Sequence, residues 1–187
     1  MELSLEKARE LTEKYLKDSN NRNHSRESEV VLAALAKKLG EDEEKWGMAG
    51  LLHDLDWEET EEWPEQHGLR TVEILQEEGY EVPSETLHAI KAHNFFYTGV
   101  QRESKLDFAL AAGESVTGLI YAYALMRPEG ISGMKASSLN KKFKDKSFAA
   151  KVPREVIGDI VKVGIELSEF FVISIEAMAG IAGEIGV

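Results

Sequence analysis

Apolar residues recur at three- and four-residue steps along most of the chain, and alternating apolar-polar runs are very few. That period belongs to an α-helix with one buried face, so the pattern predicts an all-α protein. Leu5, Ala8, Leu11 and Tyr15 make a first stripe, which Ser4 can cap and which ends in the polar turn Asp18-Ser19-Asn20-Asn21. Val31, Leu35 and Leu39 stack in a second helix over residues 24–39, with Gly40 where a C-terminal cap is wanted. A third helix over 42–55 puts Trp46, Ala49, Gly50 and His53 on one face, where small residues let another helix come close. An acidic loop then leads to a fourth helix from residue 64 through Val72 and Leu75 to 79, and Ser84 can cap a fifth over 85–93. A long sixth covers 105–126. The basic segment Lys141-Lys142-Phe143-Lys144-Asp145-Lys146 separates it from two closing helices over 154–166 and 167–183.

These elements suit a single-domain helical bundle of 187 residues, because no shift in composition marks a boundary and no repeat is evident. A core of about residues 20–126 is expected, with C-terminal helices over about 137–187 packed on it. The apolar C-terminal stretch is interrupted by Glu176 and Glu184, so it reads as a core helix and not a membrane span. The N-terminus lacks the apolar stretch of a signal peptide, which makes the cytoplasm the expected compartment. A formal charge of −12 argues against a nucleic-acid polymer as partner, while leaving room for a small phosphorylated substrate held by local cations. There is no cysteine, so any metal must be held by nitrogen and oxygen ligands.

The chemistry gathers in the first half. His53-Asp54 follows the apolar run Met48-Ala49-Gly50-Leu51-Leu52, and an acid and an imidazole drawn into a core need partners. All five histidines, at positions 24, 53, 67, 88 and 93, precede residue 94, and four of them fall at or near expected helix ends. Glu114 lies in the small, apolar run of the sixth helix. A divalent ion wants several imidazoles and carboxylates together, and nothing else in the chain gathers them. His88 sits about 140° round a helix from His93, so it is read as a surface or supporting residue. Lys91, Arg102 and Lys105 flank His93, and Lys91 is the preferred candidate for a substrate's charge. The lysine cluster at 141–146 reads first as a solvated face.

His24, the His53-Asp54 pair within LLHDLDW and the acid at 114 resemble the HD superfamily of metal-dependent phosphohydrolases, whose pattern is H…HD…D. HGLRTVEIL, IKAHN and AGESVTGLIYAYALMRP extend the resemblance to small, stand-alone members of bacteria and archaea. The resemblance implies an all-α bundle of the HD type, with His24, His53, Asp54 and Glu114 as metal ligands, Glu114 replacing the family's usual aspartate. It implies catalytic roles for Asp54, His67 and His93, the last two matching extra histidines of dinuclear members, while Asn94 stands where a further histidine often follows. Lys91 and Asn94 are the expected substrate-binding pair. The expected cofactor is a divalent ion (manganese, iron, cobalt, nickel, magnesium or zinc), one in preference to two. The expected activity is hydrolysis of a phosphomonoester or phosphodiester on a small nucleotide-like substrate. Alternatives are a di-iron oxygenase or a metal- or nucleotide-binding module without catalysis, and a homodimer is compatible with any of them.

Overall fold

The computed structural model describes residues 3–187. In chain order its helices are α1 (Leu5–Tyr15), α2 (Ser19–Leu39), α3 (Glu43–Leu52), α4 (Trp57–Thr60), α5 (Leu69–Glu77), α6 (Ser84–His93), α7 (Phe95–Thr98), α8 (Lys105–Ala124), α9 (Ala136–Lys144), α10 (Arg154–Gly158), α11 (Leu167–Ala179) and α12 (Ala182–Ile185), with a 3-10 turn at Asp159–Val163. No sheet forms among the described residues, and the fold is all-α.

Local chemistry sets most of the starts. Ser4 accepts from the Lys7 amide, Asp42 from the Lys45 amide, and Ser104 exchanges side-chain bonds with Asp107 in a reciprocal cap. Two starts differ from the sequence expectation. Asp18 caps α2 by accepting from the Asn20 amide, so the polar stretch read as a turn is already helical and His24 lies in the second turn instead of opening the helix. In the other case α5 begins at Leu69, not near Pro64, because Gly68 sits at φ 83°, outside the helical region. His67 is therefore in the preceding loop. The acidic loop contains the one-turn α4, and the basic segment belongs partly to α9, whose Leu139 is buried. Both are too short to declare a period in sequence. The expected helix over 154–166 breaks at Gly158 into the 3-10 turn and stops at Gly164, in the left-handed region at φ 87°.

The sixth expected helix, α8, is the centre. Leu106, Ala109, Leu110, Ala111, Ala112, Val116, Leu119 and Ile120 are all buried, and a helix apolar all round has to be surrounded. Helices α2, α3, α6, α9, α10 and α11 all contact it. Phe170, Phe171, Ser174, Ile175 and Met178 of α11 are buried, and no helix among the described residues is long and apolar enough to cross a membrane.

The contact that positions the site is between α2 and α3. A Cβ on Gly50 would lie 2.5 Å from the Ser28 carbonyl oxygen, so α3 rests on the backbone of α2. His24 lies one turn before Ser28 and His53 one turn after Gly50, so both imidazoles project from this close crossing. Adding a methyl group there must push the helices apart. Gly50→Ala should lower the unfolding free energy by about 1–3 kcal/mol in urea titrations. Gly158→Ala, where an added Cβ meets nothing within 4 Å, should change it by no more than about 0.5 kcal/mol. Equal effects of the two would contradict the close crossing.

Candidate metal centre

Four imidazoles and two carboxylates meet where the ends of α3 and α6 approach α2 and α8. The last four carbonyls of a helix have no partner within it. His53, the C-terminal cap of α3, places Nδ1 2.8 Å from the Gly50 carbonyl oxygen, and His93, the last residue of α6, does the same with the Ile90 carbonyl. Each ring thus donates its Nδ1 proton to an orphan carbonyl and turns Nε2 inward as a lone pair. His24 is set differently. Thr117 donates its hydroxyl to the Glu114 carbonyl at 2.7 Å, so its oxygen accepts from His24 Nδ1 at 3.1 Å. In His67, Nδ1 lies 2.8 Å from Asp56 Oδ1.

The Nε2 atoms converge on one another. His24 and His53 Nε2 are 3.2 Å apart, and His67 and His93 Nε2 are 3.1 Å apart. Asp54 lies between the pairs, its Oδ1 3.1 Å from His53, 3.1 Å from His67 and 3.5 Å from His93, and its Oδ2 3.5 Å from His24. Glu114 Oε2 completes the ring, 3.9 Å from His24 Nε2. Two lone pairs at such distances repel unless a proton or an ion lies between them. Nitrogen and oxygen ligands about 2.0–2.2 Å from an ion stand roughly 3.0–3.6 Å from each other, so this donor set fits a divalent ion. Two overlapping groups could hold one: His24, His53 and Glu114, or His53, Asp54 and His93.

The protonation states follow from burial and neighbours. Burial lowers the His53 imidazole to about 3, keeping it neutral. Burial would raise the Asp54 carboxyl, but His53, His67 and His93 outweigh it and hold it well below the usual carboxylate range. For His67 burial pulls downward, yet the hydrogen bonds to Asp54 and Asp56 carry it up to about 10. Burial pushes the Glu114 carboxyl up to about 7 against the pull of His93 and of the Ser115 hydroxyl, which donates to it at 2.5 Å.

His24, Asp54, His67, His93 and Glu114 line a cavity of about 530 Å³, and His53 is fully buried beside them. Asn94 lines it too, but its amide donates to the carbonyls of Pro64 and His67. Lys91 is not among the lining residues; Arg102 and Lys151 are the lysine and arginine side chains that face the space. The helical turn that sends His93 inward carries Lys91 elsewhere. Lys105 pairs with Glu41, and His88 lies 3.1 Å from Asp107, apart from the site.

Two supporting residues escaped the sequence reading. Asp56 is fully buried and accepts from His67, from the Gly68 amide at 2.7 Å and from the Thr71 amide at 2.9 Å. Its signal was a second acid two residues after the His-Asp pair, in the same apolar run. Thr117, three residues beyond Glu114, shared the acid's helix face.

A family model described as HD domain matches residues 21–123. No curated protein and no solved structure matches the chain. More than half the chain is covered, and the chain belongs to the HD domain family, whose members are generally metal-dependent hydrolases that bind divalent metals.

The His67 shift has a sign that can be measured in metal-free protein. Its folded value is raised above the ordinary 6.5, so its stabilisation is fully present below pH 6.5 and is lost as pH rises through about 10. His53 has the opposite displacement, and stability falls again from pH 6.5 toward about 3. Melting temperatures in chelator should therefore decline on both sides of neutrality. Asp56→Asn should melt lower at pH 7 and show a flatter alkaline limb; parallel alkaline limbs for the two proteins would remove Asp56 as the cause.

Proposed function

We propose that the protein is a metal-dependent phosphohydrolase acting on a small, nucleotide-like phosphate ester, with one divalent ion held by His24, His53, Asp54 and Glu114. The observation that carries this reading is the convergence of Nε2 lone pairs and carboxylates at the floor of a cavity with cations and apolar side chains on its walls. A divalent ion bound there supplies charge to polarise a phosphoryl oxygen and acidity to a bound water.

The chain's own residues do the rest. His24 and His53 keep Nε2 unprotonated because Thr117 and the Gly50 carbonyl take their Nδ1 protons. Asp54 stays ionised among the imidazoles. His67 and His93 present Nε2 across Asp54 Oδ1 and line the cavity, placed to hold a proton for a leaving oxygen. Trp57 stands edge-on to His67 with ring centroids 5.0 Å apart, and with Phe96, Pro153 and Val156 it gives the organic part of a substrate an apolar surface. Glu114 reaches the site although its arm is one methylene longer than the family's usual aspartate.

A second reading rests on donors flanking both oxygens of Asp54. Two ions sharing that carboxylate, with His67 and His93 on the second, would suit a di-iron oxygenase. Metal analysis after purification without added metal separates the two: one exchangeable ion supports the hydrolase, and two tightly held irons support the oxygenase.

The direct test is a screen of phosphate esters with manganese, cobalt, nickel, magnesium, zinc and iron added in turn; no turnover with any of them would overturn the proposal. His53→Ala and Asp54→Ala should lose metal and hydrolysis together. Glu114→Gln should weaken manganese binding in calorimetry by about ten- to a hundredfold, while Glu114→Asp retains it. Because burial pushes the Glu114 carboxyl up to about 7, its deprotonation should add to the rise of parent affinity from pH 6 to pH 8, and Glu114→Gln should show a shallower rise. Equal affinities for parent and Glu114→Gln would remove Glu114 from the ligand set.

A further inference from the structure

Part of the cavity wall lies outside the HD domain match. Lys151, Pro153 and Val156 line the same cavity as the candidate metal ligands, whereas the family match ends at residue 123. The segment that carries Lys151 has no regular secondary structure but is held from within. The Arg154 guanidinium donates to the carbonyls of Phe148, Ala149 and Val152, the last at 2.8 Å, and approaches those of Phe143 and Asp145. Ala149 sits at φ 43°, a left-handed conformation that this convergence of carbonyls on one cation maintains. The loop is also docked on α8: Phe148 packs edge-on against Tyr123 at 6.4 Å, and the Lys142 ammonium lies 4.8 Å from the Phe148 ring centroid.

The two cations of the cavity are not equivalent. The Arg102 side chain is 8% exposed and spends its donors on the protein, giving Nε to the Ala92 carbonyl at 3.2 Å and Nη2 to the His93 carbonyl at 2.9 Å, with Nη1 3.7 Å from Asp159. Lys151 is exposed and has no hydrogen-bond or carboxylate partner among the described residues. A lysine with no partner, on a loop whose backbone is held in place and lining the cavity of the candidate metal ligands, is available as an anion contact.

Building on the hydrolase reading, we infer that Lys151 is the specificity-determining cation of the site, binding the phosphoryl group of a compact monoester. The balance of charge limits the phosphoryl count. Beyond the imidazoles, Lys151 and Arg102 offset Asp54 and Glu114, so the net charge left is that of the divalent ion in the hydrolase reading, which matches a single phosphoryl dianion and not a polyphosphate. Pro153 and Val156 line the same cavity and offer apolar surface for the organic group.

The test uses inorganic phosphate as probe on manganese-loaded protein at fixed ionic strength, measured by calorimetry. Lys151→Gln should weaken phosphate binding by about tenfold, Lys151→Arg should stay within about threefold of the parent, and Lys146→Gln, in the same loop but off the cavity, should match the parent. Manganese affinity should be the same in all four, which reports an intact site. In ester turnover, Lys151→Gln should raise KM and leave kcat nearly unchanged. Parent-like phosphate binding by Lys151→Gln, or no phosphate binding by the parent, overturns the role of Lys151. Turnover of a diphosphate equal to or above that of its monophosphate overturns the single-phosphoryl limit. If phosphate affinity depends on Lys151 but the parent cleaves no phosphate ester, the hydrolase reading falls and the anion site stands.

Discussion

The Asp54 carboxylate sits 3.1–3.5 Å from the Nε2 atoms of four imidazoles, and the surrounding architecture follows from making that arrangement tolerable. A carboxylate and several imidazoles drawn from water together are costly unless each polar atom finds a partner. Every Nδ1 is taken by a fixed acceptor of the protein: two helix-end carbonyls, one hydroxyl and one buried carboxylate. What is left pointing inward is a set of electron-pair donors and negative charge, the complement of a cation.

This explains how candidate metal ligands can sit at helix ends in this fold. A histidine at the C-terminus of α3 or α6 finds an unused carbonyl one turn back, and that carbonyl fixes both tautomer and ring orientation. His24 has no such carbonyl, because it lies within α2. Its Nδ1 needs Thr117 of α8, and the two helices must be close for that contact to form. The crossing at Gly50 and the small residues of α8 therefore serve geometry as much as stability. Gly68 plays a similar part between loop and helix, since a Cβ there would meet the Ile90 carbonyl oxygen at 2.8 Å and the His93 ring at 3.3 Å.

The structure divides the site into two sources. The residues that could hold a metal come from the region shared with the HD domain family, and the cavity wall comes partly from residues beyond it. Arg154 organises the loop of that wall through the loop's own carbonyls, and Phe148 docks it on α8, the helix that carries Glu114.

The sequence by itself determined the helical class, the stripes of α1, α2 and α3, and the candidate ligands His24, His53, Asp54 and Glu114, because a 3.6-residue period and a set of imidazoles and acids are written in residue order. It could not locate Lys151, which lies 97 residues after Asp54 in a loop without period, and it favoured Lys91, whose nearness to His93 in the chain is undone by the turn of α6. It also started α2 and α5 in the wrong places, since the Asp18 cap and the positive φ of Gly68 are decided by local geometry that a hydrophobic pattern does not record. Asp56 shows the same limit most plainly. As a letter it is one more acid in an acidic chain, and only the packing that brings His67, Gly68 and Thr71 around it turns it into the counter-charge of a histidine. Residue type and spacing are local properties and were legible; tautomer, counter-charge and cavity wall arise from atoms distant in sequence, and folding alone brings those together.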